Sequence, residues 1–318
     1  MTQTNESRCS LKRFGIAFFA LMFITFALEY GVQLILKAVN PELLDHPAMV
    51  WILSTVPLYF AALPVCMAIL GKSSSCNSAV TSKLSVSEFF TSVVVSFGVI
   101  TIGNLVGNGL MLIYSLITGS AVVNPIIEVF SESNPAAMFF IVVIVAPLGE
   151  EFIFRRIIID NLHPYGERFA VILSAAMFAA FHTNIFQIPY AFLVGVVFGY
   201  IYIKTGKLRY SVILHAIINF SSGFMATLLL KEITALSGDM VNIPPENTAA
   251  LLLILLVEMA YVTVLFGCAI ATVILAIVYR KKKFLAKSDE KINVFKQPFI
   301  MLFFAVCLVL TVVAIILG

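Results

Sequence analysis

Long apolar stretches recur along this chain and restrict it to folds in which each segment hydrogen-bonds its own backbone. A helix of roughly 20 residues crosses the hydrocarbon core of a bilayer. Of the 318 residues, 61% are hydrophobic and only 12% are charged, whereas a soluble domain carries about twice that charged share. The sequence therefore predicts an all-α, polytopic integral membrane protein, a helical bundle with about eight to nine transmembrane helices.

The apolar runs predict nine spans. They cover residues 14–36, 48–70, 89–117, 136–159, 169–185, 187–203, 210–230, 248–279 and 298–317. Residues 169–203 also fit one broken hairpin, which would reduce the number of full spans to eight.

Basic residues favour the cytoplasmic loops of membrane proteins. When the N-terminus is placed inside, all 20 basic residues except Lys37 and Lys231 fall on the cytoplasmic side. These loops account for the net charge of +3, so no nucleic-acid partner is expected. The pattern predicts a multi-pass protein of the cell membrane with a cytoplasmic N-terminus. A compact chain without a eukaryotic sorting signal is expected to be bacterial.

Polar residues interrupt the apolar pattern at three places, and ionisable groups at such depth are costly and usually functional. The first group is Glu150 and Glu151 with Arg155. Glu151 and Arg155 have the spacing of an ion pair on one helix face, which leaves Glu150 facing elsewhere. Pro147 and Gly149 weaken the helix just before the two carboxylates, so a kink there would turn them toward the bundle interior. The pattern makes Glu150 available for chemistry, with a packing pair at a helix end as the alternative.

Two histidine motifs follow. Phe178 and His182 share one helical face, so the aromatic ring would wall the pocket of the imidazole. His215 and Asn219 repeat that spacing, and the Asn219 amide would bond a ring nitrogen of His215 or the water that it holds. Each histidine alone is more often a core residue than a ligand. Together with the glutamates, the two histidines supply the ligand and base types needed to activate water.

Two mechanisms remain open from these residues. In a metal mechanism, Glu150, His182 and His215 hold a divalent ion such as zinc and leave one position for water. In a metal-free mechanism, Glu150 is the general base, and His182, His215 or Asn219 stabilises the oxyanion. Other protease classes are disfavoured, because the sequence has no HExxH motif, no serine in a rhomboid-like transmembrane GxS context and no plausible intramembrane aspartyl dyad.

In these motifs the sequence resembles the CPBP family of intramembrane proteases, which includes type II CAAX prenyl endopeptidases and bacteriocin-immunity (Abi) proteins. The resemblance covers roughly residues 136–225. The family patterns EExxxR, FxxxH and HxxxN are matched in order and without substitution by Glu150 and Glu151 with Arg155, Phe178 with His182, and His215 with Asn219.

The resemblance implies a helical core with a central polar cavity open to the cytosolic side. The implied catalytic residues are Glu150, Glu151, His182, His215 and Asn219, with Arg155 and Phe178 in support. It divides the chain into N-terminal transmembrane helices over residues 1–135, a catalytic core over residues 136–230, and C-terminal transmembrane helices over residues 231–318.

The resemblance further implies an intramembrane endopeptidase that hydrolyses a peptide bond near the cytoplasmic membrane face by a glutamate-activated water. Its expected partners are the lipid bilayer and a membrane-associated peptide or protein substrate. The alternative is a noncatalytic peptide-binding or bacteriocin-immunity protein with the same fold.

Residue counting adds a geometric condition. Glu150, Glu151 and His215 lie within a few turns of the predicted cytoplasmic face, whereas His182 lies deeper. If all four belong to one site, the fifth span must tilt, or break near residues 184–189.

Overall fold

The computed structural model describes residues 10–71, 82–120, 123–237, 247–282, 284–286 and 292–317. Within these ranges the regular structure is helical, without a strand. The principal helices are α1 (Leu11–Val39), α2 (Pro47–Leu70), α3 (Val86–Thr118), α4 (Pro125–Glu132), α5 (Pro135–Tyr165), α6 (Glu167–Phe181), α7 (Ile188–Thr205), α8 (Leu208–Ser237), α9 (Thr248–Val278) and α10 (Pro298–Leu317).

In the described part of the chain, eight helices are long and apolar enough to cross a membrane: α1, α2, α3, α5, α7, α8, α9 and α10. The predicted all-α polytopic bundle is therefore confirmed. The predicted span over residues 169–185 is not a full-length helix, because α6 has 15 residues and ends at Phe181. At about 1.5 Å per residue it is shorter than the hydrocarbon core.

Polar side chains and glycines set several helix ends. Ser85 and Glu88 form a capping box at the start of α3, and Asn124 accepts a hydrogen bond from a backbone N–H at the start of α4. Gly119 and Gly206 end α3 and α7 with φ values of 72° and 63°, a conformation that favours glycine. These local signals limit the helices to the segments between them.

Close helix packing builds the bundle around α7. This helix packs against α6 and α3, α3 packs against α9, and α1 packs against α2 and α10. A Cβ atom on Gly103 would lie 2.3 Å from the Tyr190 Cα, and one on Gly107 would lie 2.7 Å from the Phe186 carbonyl oxygen. Glycine at these two positions therefore permits the close approach of α3 to the start of α7.

Parts of three long helices are wound as π-helix. These segments are Pro57–Ala62 in α2, Phe139–Val145 and Phe152–Ile159 in α5, and Asn219–Met225 in α8. π-Helical turns are rare in proteins, and those that do occur are often found at functional sites. The two turns in α5 lie on either side of the segment that contains Glu150 and Glu151, so the irregular winding marks the part of the bundle where the polar motifs meet.

Candidate functional site

Glu151 and Arg155 form a completely buried ion pair on α5, with both side chains 0% exposed. Arg155 Nε donates to Glu151 Oε2 at 2.9 Å, and Arg155 Nη2 donates to Glu151 Oε1 at 3.3 Å. Arg155 Nη1 also donates to Ser174 Oγ on α6 at 3.1 Å. The guanidinium carbon lies 5.1 Å from the centre of the Phe178 ring. A two-point contact of this kind holds the carboxylate in one orientation.

The His215 imidazole lies between two carboxylates. Its Nδ1 is 3.1 Å from Glu151 Oε1, and its Nε2 is 3.7 Å from Glu150 Oε2. Because the carboxylate of Glu151 is ionised beside Arg155 and can only accept, the His215 Nδ1–H donates to it. Nε2 is thereby directed toward Glu150, whose side chain is 25% exposed. We call Arg155, Glu151, His215 and Glu150 the charged row, since each contacts the next.

His182 contacts the site through Phe178. His182 Nδ1 is 2.8 Å from the Phe178 carbonyl oxygen, which can only accept, so Nδ1 carries a proton and Nε2 is left for other partners. The Phe178 ring packs edge-to-face against His182 at 4.8 Å and against His215 at 6.0 Å between ring centres. Among the described residues, no hydrogen bond joins His182 to Glu150 or Glu151.

The chain turns sharply just after His182. Thr183 adopts a φ of 48°, a left-handed conformation that costs a β-branched residue on the order of 1–3 kcal/mol. Asn184 stabilises the turn, since its Oδ1 accepts from the Phe186 backbone N–H at 3.0 Å and its Nδ2 donates to Asn124 Oδ1 at 3.0 Å. Of the two predicted alternatives, a tilt or a break near residues 184–189, the structure has a break, and it begins two residues earlier.

Asn219 has a different partner from the one predicted. Its Nδ2 donates to the Val142 carbonyl oxygen at 2.9 Å, and within the described ranges it forms no hydrogen bond with the His215 ring. The prediction of an Asn219–His215 bond is therefore wrong. The reason lies in tertiary packing. Val142 belongs to the π-helical turn Phe139–Val145 of α5, and its carbonyl oxygen accepts the amide hydrogen that was predicted to bond His215.

The expected metal ligands do not converge. Zinc requires at least three protein ligands at about 2.0–2.2 Å. Glu150 and His215 face each other, and the Phe178 ring packs against both His182 and His215. Over the described ranges, no group of three or more His, Cys, Asp or Glu side chains is arranged to hold a metal ion. The arrangement of Glu150, His182 and His215 does not fit a zinc site.

Sequence reasoning missed two tyrosines beside Glu150. Tyr59 of α2 lies against Gly149, where a Cβ atom would be 2.3 Å from the tyrosine hydroxyl oxygen. Tyr190 of α7 lies close enough to Glu150 to interact with its charge, as does Tyr59. The sequence around Tyr59 and around Tyr190 contains no polar motif that distinguishes these two residues from the other aromatic residues of the chain. The available signal for Tyr59 was Pro57, which disrupts regular winding two residues before it.

A cavity of about 550 Å³ lies elsewhere, at the C-terminal end of α1. Its lining consists of Tyr30, Gln33, Leu34, Lys37, Pro41, Leu44 and Asp45. None of these residues belongs to the three motifs. The central polar cavity open to the cytosol therefore stays a prediction.

Comparison with known proteins identifies the same region. Residues 132–221 match the family model of type II CAAX prenyl endopeptidases, Rce1-like. The membrane-embedded CAAX protease MroQ of Staphylococcus aureus (strain USA300) is 31% identical over 150 residues, a match that covers 42% of this chain and 59% of that protein. The chain thus matches less than two thirds of the length of that curated relative. No solved structure matches the chain.

Proposed function

We propose that this chain, which carries a CPBP-family, Rce1-like domain at residues 132–221, is an intramembrane endopeptidase that uses Glu150 to activate water. The observation that carries the proposal is the charged row. It runs from a fully buried ion pair, through one imidazole, to one partly exposed carboxylate. A general base must be able to reach its substrate, and Glu150 is partly exposed beside an imidazole that Glu151 orients.

The gap between Glu150 and His215 suits a bound water molecule. Their 3.7 Å separation is too long for a direct hydrogen bond, and a water can contact both groups from the exposed side of Glu150. In the proposed reaction, Glu150 removes a proton from this water while the water oxygen bonds to the peptide carbonyl carbon. The proton then passes to the departing nitrogen as the peptide bond breaks, which yields one carboxylic acid and one amine and returns Glu150 to its ionised form.

Glu151 has a positioning role in this mechanism. Its carboxylate is 0% exposed and already contacts Arg155 and His215, so a peptide has no access to it. By accepting from His215 Nδ1, it sets the tautomer and the orientation of the ring. We assign His182 Nε2 to contact with the reacting peptide, because its other nitrogen is held by the Phe178 carbonyl.

The proposed substrate class is a membrane-associated peptide or protein. The family model and the relative are both named for CAAX proteolysis, and the eight apolar helices suit a substrate presented at the bilayer. We also propose that the N-terminus and the site lie on the cytoplasmic side, because almost all basic residues collect there when the spans alternate.

The test is cleavage by the full-length protein in proteoliposomes. Two quenched fluorescent peptides of equal length serve as probes, one ending in a farnesylated CAAX sequence and one hydrophobic and unprenylated. Glu150→Gln should lower kcat at least 100-fold, since general-base catalysis contributes about 10²–10⁴.

Glu128→Gln makes the same chemical change on an exposed residue of α4 and should leave cleavage unchanged. A folded Glu150→Gln protein that cleaves as fast as the wild type would contradict the mechanism. Peptide binding without cleavage, equal in wild type and Glu150→Gln, would favour the noncatalytic alternative.

A further inference from the structure

Tyr59 approaches the charged row from outside the segment that matches the family model. Its ring lies against the backbone of Gly149, in the space that a Cβ atom at that position would fill. The hydroxyl group is near enough to Glu150 to interact with its charge. Yet Tyr59 forms no hydrogen bond with any other described residue, Glu150 included. The phenol hydroxyl is therefore not bonded to the Glu150 carboxylate.

Hydrolysis of a peptide bond places negative charge on the carbonyl oxygen, and removal of one donor aimed at that oxygen lowers kcat about 10²–10³-fold. Of the donors expected from the motifs, both histidine Nδ1 groups and one of the two Asn219 amide N–H groups already have partners. His215 Nδ1 donates to Glu151, and His182 Nδ1 donates to the Phe178 carbonyl. Asn219 uses one amide N–H for the Val142 carbonyl. The Tyr59 hydroxyl is a donor near Glu150 that has no acceptor among the described residues.

We propose that Tyr59 is a catalytic residue, whose hydroxyl donates a hydrogen bond to the carbonyl oxygen of the scissile peptide bond. The inference rests on the proposed endopeptidase function. The phenol keeps its proton throughout, so the water, the peptide and Glu150 account for every proton that moves. Tyr190, the other tyrosine near Glu150, differs in that its hydroxyl oxygen has a protein partner, since it accepts from Gln187 Nε2 at 2.8 Å, although its O–H proton stays free to donate.

The packing around Tyr59 supports this role. The π-helical turn Pro57–Ala62 carries Tyr59, and glycine at position 149 lets the phenol approach the backbone of the residue before Glu150. A larger side chain at position 149 would displace the phenol from the base. The close contact thus couples the position of the hydroxyl to that of Glu150.

The experiment compares Tyr59→Phe with Tyr30→Phe in the full-length protein, using the same two peptides in proteoliposomes. Tyr59→Phe removes the hydroxyl and keeps the ring on Gly149. It should lower kcat on the order of 100-fold with little change in KM, as expected for loss of a donor that acts in the transition state. Tyr30→Phe makes the same change on α1, away from the site, and should leave both constants unchanged.

Glu150→Gln, measured in parallel, separates the two proposals. Wild-type kcat in Tyr59→Phe, together with an inactive Glu150→Gln, overturns the role of Tyr59 and leaves the proposed function intact. An active Glu150→Gln, or a wild-type protein that cleaves neither peptide, counts against the proposed function itself. A loss of kcat in Tyr59→Phe that is matched by a lower melting temperature would assign Tyr59 to packing and also overturn the inference.

Gly149→Ala provides an independent variant. The added methyl group would meet the Tyr59 ring, so the hydroxyl must move away from Glu150. It should reduce kcat in the wild type but add little to the defect of Tyr59→Phe. Fully additive losses would contradict a shared effect through the hydroxyl.

Discussion

The two halves of the candidate site are held in different ways. In the charged row, side chains contact side chains, from Arg155 through Glu151 to His215. On the other side, His182 and Asn219 each contact a backbone carbonyl oxygen instead. Charge pairs inside a bundle are strong and costly to break, whereas single neutral hydrogen bonds contribute modestly. This difference indicates that side-chain contacts assemble the first half without substrate. The geometry of the second half depends on the path of the main chain.

The largest expected effect tests the charged row. Arg155→Met leaves the Glu151 carboxylate buried without its cation, which should lower the free energy of unfolding by about 3–5 kcal/mol. Thermal unfolding of the purified protein in detergent measures the loss.

The double variant Glu151→Gln with Arg155→Met removes both charges and is the matched control. It should recover much of the lost stability, because no isolated charge remains buried. A single Arg155→Met variant as stable as the wild type would show that the ion pair does not hold this half together.

A second pair of variants compares the histidines directly. His215→Ala removes one of the two donors to the buried Glu151 Oε1, a hydrogen bond to a charged group, and should cost about 1–3 kcal/mol, whereas His182→Ala should cost about 0.5–1.5 kcal/mol. Both should abolish cleavage under the proposed function. Equal losses of stability in detergent would erase the distinction between the two halves.

The smallest expected effect has the opposite sign. Thr183→Gly replaces a β-branched residue at a φ of 48° and should raise stability by about 1 kcal/mol, since glycine adopts this conformation without steric cost. Thr234→Gly in α8 is the control and should lower stability by a few tenths of a kcal/mol, because glycine weakens helices. A destabilised Thr183→Gly protein would show that the turn after His182 is unstrained.

Local features were predictable from sequence to a large extent. Hydropathy located the eight long helices, and four-residue spacing anticipated the contact between Glu151 and Arg155. Partners distant in the chain were harder to predict. Tyr59 reaches position 149 across 90 residues of sequence, and Asn219 bonds Val142 because two π-helical turns bring them together. Periodicity within one helix carries no information about such contacts between helices.

By itself, the sequence determined that this protein is a membrane helical bundle and where polar residues interrupt its apolar helices, because hydropathy and helical spacing act within one segment. Only the tertiary structure decided that His215 lies between Glu150 and Glu151, that His182 is reached through Phe178, and that Tyr59 adjoins Gly149. The physical reason is that these contacts depend on how helices pack and where their winding changes. Both are set by close contacts among residues far apart in the chain.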